Sequence, residues 1–258
     1  MNKRGISLAA VGFAAFMALP AQAETFKSEY VVSIYGLSVA KSSFTTQVDA
    51  KAYEISGTLR SAGLAELFDD TQGTITASGT LGNEKVQPAA YVVTYTSGKK
   101  KKRTALSFAK GGVVSVENSP EIKKRDPWIE VLPDHLRAAF DPISAFMVQS
   151  ASLDAVCNTT LRIFDGEVRA DLKLSPIGPT DIKTAGYSGP AMTCALRMVP
   201  ISGYRKGKKQ IEYLRKSTNM SVTFIPIGNT GLYAPALAKV ATQIGTVTVR
   251  AKRLEAVQ

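Results

Sequence analysis

Residue types able to do chemistry are sparse in this chain of 258 residues, which holds one histidine and two cysteines. A hydrolase serine needs a tight strand-to-helix turn, written Gly-x-Ser-x-Gly. Gly186-Tyr187-Ser188-Gly189 has those residue types at the wrong spacing. A phosphate loop needs Gly-x4-Gly-Lys followed by a hydroxyl residue, because backbone amides and that hydroxyl together hold the phosphates and their metal. Gly203 to Lys209 reads Gly-x3-Gly-Lys-Lys and lacks the hydroxyl. A usual zinc site needs more His and Cys ligands than His135, Cys157 and Cys194 supply. We therefore expect no metal and no cofactor.

Carboxylates can always do acid–base work. Glu66, Asp69 and Asp70 cluster after one apolar stretch, and Asp165 and Glu167 flank a turn. A solvated helix end and a hairpin turn account for both groups. His135 follows Asp134, and sequence neighbours do not face one another in any regular element. No catalytic residue is expected, and a carboxylate-dependent hydrolase stands as the weaker alternative.

Cys157 and Cys194 would pair in an oxidising compartment. Such a bond closes a loop of about 38 residues and stabilises by roughly 3–4 kcal/mol in the loop-entropy model. The first residues point to that compartment. Lys3 and Arg4 precede an apolar run from Ile6 to Leu19, then Pro20 and Ala21-Gln22-Ala23, the small-x-small pattern cut by a signal peptidase. The run is shorter than the roughly 20 residues a spanning helix needs. We expect residues 1–23 to be a signal peptide cleaved after Ala23 and 24–258 to form one periplasmic domain with no transmembrane segment.

The formal net charge is +11, and losing Lys3 and Arg4 leaves +9. An exported protein rarely meets nucleic acid, so none is expected as a partner. Anionic envelope surfaces would attract a basic face. The cations run in clusters: Lys99, Lys100, Lys101, Lys102 and Arg103; Lys123, Lys124 and Arg125; Arg205, Lys206, Lys208 and Lys209. They are solvated loop tips, candidate contacts with an anionic surface, or both.

The elements that must carry these groups are mostly strands. Alternation of period two runs through Phe26–Tyr35, Val39–Val48, Ala52–Leu59, Gly73–Thr80 and Ala90–Thr96, with short turns between them. Thr104–Ala109 and Val113–Val116 follow, placing the lysine run at a hairpin tip. Leu64, Leu67 and Phe68 have helical spacing and predict a short helix within Ala62–Asp70. A polar, proline-bearing crossing over 118–134 holds Trp128, expected to pack over the core. Asp141-Pro142 opens a helix expected to run to about Ser150, with Asp141 capping it and Pro142 at its first position. His135–Ala139 can add a preceding turn. Strands at Thr159–Phe164 and Val168–Leu174 surround an Asp-Gly turn. Further strands are expected at Ile182–Tyr187, Ala191–Val199, Ser221–Ile227 and Thr242–Leu254, while Leu232–Val240 is ambiguous because it contains Pro235. The fold class is mainly β: a strongly curved antiparallel sheet, an open half-barrel, wrapped around one or two short helices.

Several stretches resemble a bacterial family, domain of unknown function 3108. They are Glu29–Leu37, Leu64–Phe68, Asp141–Ala145, Cys157–Gly166, Cys194–Tyr204 and Gln243–Ala251. That family is similar to periplasmic lipoprotein carriers with an open antiparallel half-barrel around helices. The resemblance implies an envelope location and binding of an apolar ligand, and it supplies no catalytic residues. A curved sheet on a helix can also leave an apolar groove of the kind that takes lipid-like ligands. The expected function is non-enzymatic binding of an apolar or lipid-like envelope component, or of an envelope protein, in support of envelope integrity. A scaffold whose basic loops meet an anionic partner or membrane surface is the alternative.

Overall fold

The computed structural model describes residues 23–67, 70–82 and 85–257. The expected leader before Ala23 lies outside the described residues, as do Phe68 and Asp69. Alternating residues build seven consecutive strands: β1 (Glu24–Ile34), β2 (Leu37–Val48), β3 (Ala52–Ser61), β4 (Thr71–Leu81), β5 (Val86–Ser97), β6 (Lys100–Ala109) and β7 (Gly112–Ser119). After them come β8 (Trp128–Ile129), α1 (Pro133–Leu136), α2 (Pro142–Ala145), β9 (Val148–Gln149) and β10 (Thr160–Phe164). The chain ends with β11 (Arg169–Thr184), β12 (Tyr187–Ser202), β13 (Tyr204–Arg205), α3 (Lys209–Lys216), β14 (Ser221–Pro226), β15 (Leu232–Thr242) and β16 (Gly245–Val257).

One antiparallel sheet holds nearly all of these strands, in the order β10-β11-β12-β14-β15-β16-β1 and on through β7. β16 lies beside β1, from Thr25 opposite Val257 to Ile34 opposite Val247, so these two strands join the halves of the sheet. The ladder does not close, because β7 and β10 are its free edges. Unpaired edge groups invite other strands, and residues 135–140 cover part of both edges. The Ala138 N–H donates to Gly111 O at 2.7 Å, the Phe140 N–H to Arg162 O at 2.7 Å, and the Phe164 N–H to Phe140 O at 2.8 Å. Buried Arg169 holds this segment from β11, donating through Nε to His135 O at 2.8 Å and pairing with Asp171 at 2.6 Å.

Two large clusters fill the curve. One gathers Leu161, Leu174, Met192, Leu196, Val222 and Phe224 from β10–β12 and β14. The other gathers Val48, Tyr53, Ile75, Tyr91 and Leu106 from β2–β6. Cys157 and Cys194 are bonded, with Cα atoms 5.4 Å apart, inside the first cluster. The bond ties the connection before β10 to the middle of β12.

Several local expectations are corrected. The helix after Asp141 stops at Ala145 instead of Ser150, because Val148 and Gln149 extend and pair with Tyr233 and Leu232 of β15. The stretch after Ala62 forms a single 3-10 turn, Gly63–Leu67. Trp128 is half-buried in a two-strand ladder with Arg205, outside both large clusters. Only Lys99 sits in the β5–β6 turn, whereas Lys100 to Arg103 belong to β6 and are exposed. Ile182–Tyr187 is the end of β11, a turn and the start of β12. The ambiguous Leu232–Val240 stretch is a strand, and α3, absent from the sequence expectations, buries Ile211. Ile211 and Leu214, at i and i+3 among charged residues, carry the helical spacing.

The disulfide yields the first prediction. Its reduction, or the double substitution Cys157→Ser with Cys194→Ser, removes roughly 3–4 kcal/mol by loop-entropy reasoning. Thermal melting should then fall by on the order of 10 °C. An unchanged melting temperature on reduction would contradict this.

Candidate functional site

The sheet splits between β15 and β16. These strands pair from Thr242 opposite Gly245 only as far as Leu237 opposite Arg250. Beyond that point β16 continues beside β1, while β15 turns toward β14 and β9. The turning point is Pro235, beside a register shift at Thr223/Phe224. Proline has no N–H to lose there, so the residue that made the sequence ambiguous fits an interrupted ladder.

Backbone groups along the split still need partners. The Tyr30 hydroxyl reaches from β1 to donate to Pro235 O at 3.0 Å. Burial pushes the Tyr30 phenol up to about 12, so it remains a neutral donor at any physiological pH. On the β16 side the tip of the β11–β12 hairpin crosses over. The Ala185 N–H donates to Lys252 O at 3.1 Å, and the Leu254 N–H donates to Ala185 O at 2.8 Å. Gly186 makes that crossing feasible: its φ is +84°, and a Cβ there would sit 2.6 Å from Leu254 O.

Within the split lies an open cavity of about 630 Å³. The inner faces of β1 and β2 supply Phe26, Ser28, Tyr30, Ser42, Phe44 and Thr46 to one wall. The opposite wall comes from Ile225, Ala234, Pro235 and Ala238, and the floor from Ile143, Phe146 and Met147 in and after α2. Tyr30 and Phe44 meet edge to face at 6.0 Å. Small side chains between the aromatic ones leave the space unfilled. The charged groups along it are Lys27 and Glu255, opposite each other on β1 and β16, and Glu255 is paired with Arg253 at 3.0 Å.

Asp141 holds the floor in place. Its carboxylate is fully buried, and Oδ1 accepts the N–H groups of Ile143 at 2.9 Å and Ser144 at 2.8 Å, the N-cap expected from the sequence. Tyr53 donates to Ser144 Oγ at 2.7 Å, joining β3 to the same turn. Asp141 Oδ2 has no hydrogen-bond partner. Burial raises the Asp141 pKa, against the lowering effect of the Ser144 hydroxyl and the two N–H bonds.

None of the basic residues singled out in the sequence lines this cavity. Lys99 to Arg103, Lys123 to Arg125, and Arg205, Lys206, Lys208 and Lys209 are all exposed elsewhere. Among the described residues, none of the carboxylate candidates lines it either, and Asp165 accepts the N–H groups of Glu167 and Val168 in its own turn. His135 accepts the Leu132 N–H through Nδ1 and is not among the residues that line the cavity. Among the described residues, no group of three or more His, Cys, Asp or Glu could hold a metal ion. Nor is any helix there long and apolar enough to cross a membrane. The cavity itself was missed as a located site, because its walls are ordinary strand residues.

The fold and this cavity define an open, barrel-like β protein with an apolar chamber in its wall. The chain belongs to the family described as "Protein of unknown function (DUF3108)", whose model matches residues 29–252. It is similar to a crystal structure of a "Beta-barrel-like Protein of Domain of Unknown Function DUF1849 from Brucella abortus", at 10% identity and a TM-score of 0.47. That likeness covers 93% of this chain and 100% of the other. No curated protein matches.

The cap gives a prediction with a definite sign. Because the folded pKa of Asp141 is raised, its contribution to stability is fully present below the unfolded pKa and lost as pH rises through the folded one. Asp141→Asn keeps the cap acceptor and cannot ionise. Denaturant unfolding should therefore show the Asn variant gaining on wild type as pH rises above the ordinary carboxylate range, about 4. Asp141→Ala should lose about 1 kcal/mol or more at every pH. A pH-independent difference between wild type and Asn variant would refute the assignment.

Proposed function

We propose that this is an exported, non-enzymatic protein of the cell envelope that holds one apolar, lipid-like molecule in the β15–β16 split. The observation that carries the proposal is the 630 Å³ chamber with apolar walls. Its size and lining are those of sites that enclose small apolar ligands. An acyl chain would lie between Tyr30, Phe44 and the α2 floor, with its polar end toward Lys27 and Glu255. The Cys157–Cys194 bond and the leader-like residues 1–23 support export, cleavage after Ala23 and a periplasmic location. Among the described residues, the one carboxylate lining the chamber, Glu255, is already ion-paired, which favours binding over hydrolysis. Holding such a component would support envelope integrity.

The test uses the exported protein, with N-phenyl-1-naphthylamine as the apolar probe and palmitate as competitor. Wild type should brighten the probe, and palmitate should displace it. Ser42→Phe combined with Ala238→Phe fills the chamber from opposite walls. This variant should bind the probe at least roughly tenfold more weakly, a loss of about 1.4 kcal/mol, while melting no lower than wild type. Absence of probe uptake by wild type, or full uptake by a folded filled variant, would overturn the proposal.

A further inference from the structure

The three basic runs, scattered over more than a hundred residues, converge at one end of the sheet. In an antiparallel sheet successive turns alternate between ends. The turns at Tyr35-Gly36, Gly98-Lys99, 165–168 and Gln243-Ile244, together with the connections at 120–127 and 203–220, all fall at the same end. Side contacts join them. Arg205 Nε donates to Asp126 O at 3.1 Å, and the Lys206 N–H to Pro127 O at 2.8 Å, drawing the Lys123–Arg125 run beside the Arg205–Lys209 run. Thr104 bonds Asn118 at 2.7 Å, and Asn118 donates to Gly166 O at 3.0 Å, carrying the contact to the base of the Lys99–Arg103 run.

The same end projects apolar side chains into solvent. Tyr35 is 80% exposed, Leu37 59% and Ile244 66%, at the tips of two neighbouring hairpins. Tyr35 lies over Gly245, where a Cβ would approach its ring within 2.6 Å, so the two tips form one projection. Helix α3 follows the Arg205–Lys208 stretch, packs on β12 and β15, and exposes Tyr213, Arg215 and Lys216.

We infer that this end docks on an anionic lipid bilayer. Clustered lysine and arginine are drawn to anionic headgroups, and tyrosine with aliphatic tips suits the interface just beneath them. A protein partner would call for a continuous packed patch, whereas here one small apolar projection shares its end of the sheet with the exposed basic runs. Docked this way, the end of the split near Gly186 and Gly228 faces away from the bilayer.

The chain's one tryptophan, Trp128, pairs with Arg205 at the docking end and reports on it. The exported protein is mixed with vesicles of phosphatidylglycerol and phosphatidylethanolamine, and separately with phosphatidylcholine. Sedimentation should show binding to the anionic vesicles alone, weakened by salt, and shallowly brominated lipid should quench Trp128. Lys99→Ser, Lys100→Ser, Lys101→Ser and Lys102→Ser together should weaken binding at least tenfold. Tyr35→Ser with Ile244→Ser should weaken it severalfold at unchanged salt sensitivity. Each variant should retain wild-type uptake of the naphthylamine probe, which also monitors folding. Equal binding to neutral vesicles, unquenched Trp128, or wild-type affinity in the folded lysine variant would overturn the inference. So would unaltered binding by the tip variant with full competition by soluble polyphosphate, which would assign the end to a soluble polyanion.

Discussion

A strand inside a protein cannot leave half of its backbone groups without partners. β16 faces that constraint directly. Its first half pairs with β15 on one side and β1 on the other, but its second half loses β15 once that strand turns away at Pro235. The Ala185 tip bonds Lys252 and Leu254, the Tyr30 hydroxyl takes Pro235 O, and β9 takes the edge of β15 at Leu232 and Tyr233. The split is therefore held open by hydrogen bonds that make it part of the fold rather than a defect in it.

Packing then decides what the split contains. The two large clusters fill the curve with Leu, Met, Phe and Tyr from β10–β12, β14 and β2–β6. Facing the split, the chain instead presents Ser28, Ser42, Thr46, Ala234 and Ala238. A helix longer than α2 would occupy more of that space, but β15 recruits Val148 and Gln149 as a strand and ends it after one turn. A short helix and small wall residues leave the chamber unfilled, and the Asp141 cap fixes the floor that bounds it.

Charge is distributed along the other axis of the molecule. The end holding the basic runs is reached by turns between β1 and β2, β5 and β6, and β15 and β16. The opposite end holds the start of β1, the end of β16 and the Ala185-Gly186 crossing. The crossing and the cationic end are thus separated by the length of the strands, and a ligand chamber and a docking surface can coexist without sharing residues.

Much of this was legible locally. Period-two alternation marked nearly every long strand, Asp165-Gly166 marked the β10–β11 turn, and Asp141-Pro142 marked the cap of α2. Those signals act over a few residues and need no partner to be recognised. The helix length, the place of Trp128 and the strand around Pro235 depended instead on which distant segment offered hydrogen bonds. The sequence by itself determined a set of half-buried strands, a capped turn and a bondable cysteine pair. Only the tertiary structure decided that β15 and β16 part below Arg250, that residue 185 spans the opening, and that cations far apart in the chain share one end. The physical reason is that strand pairing is a contract between remote backbones, and side-chain periodicity names the face of a strand without naming its neighbour.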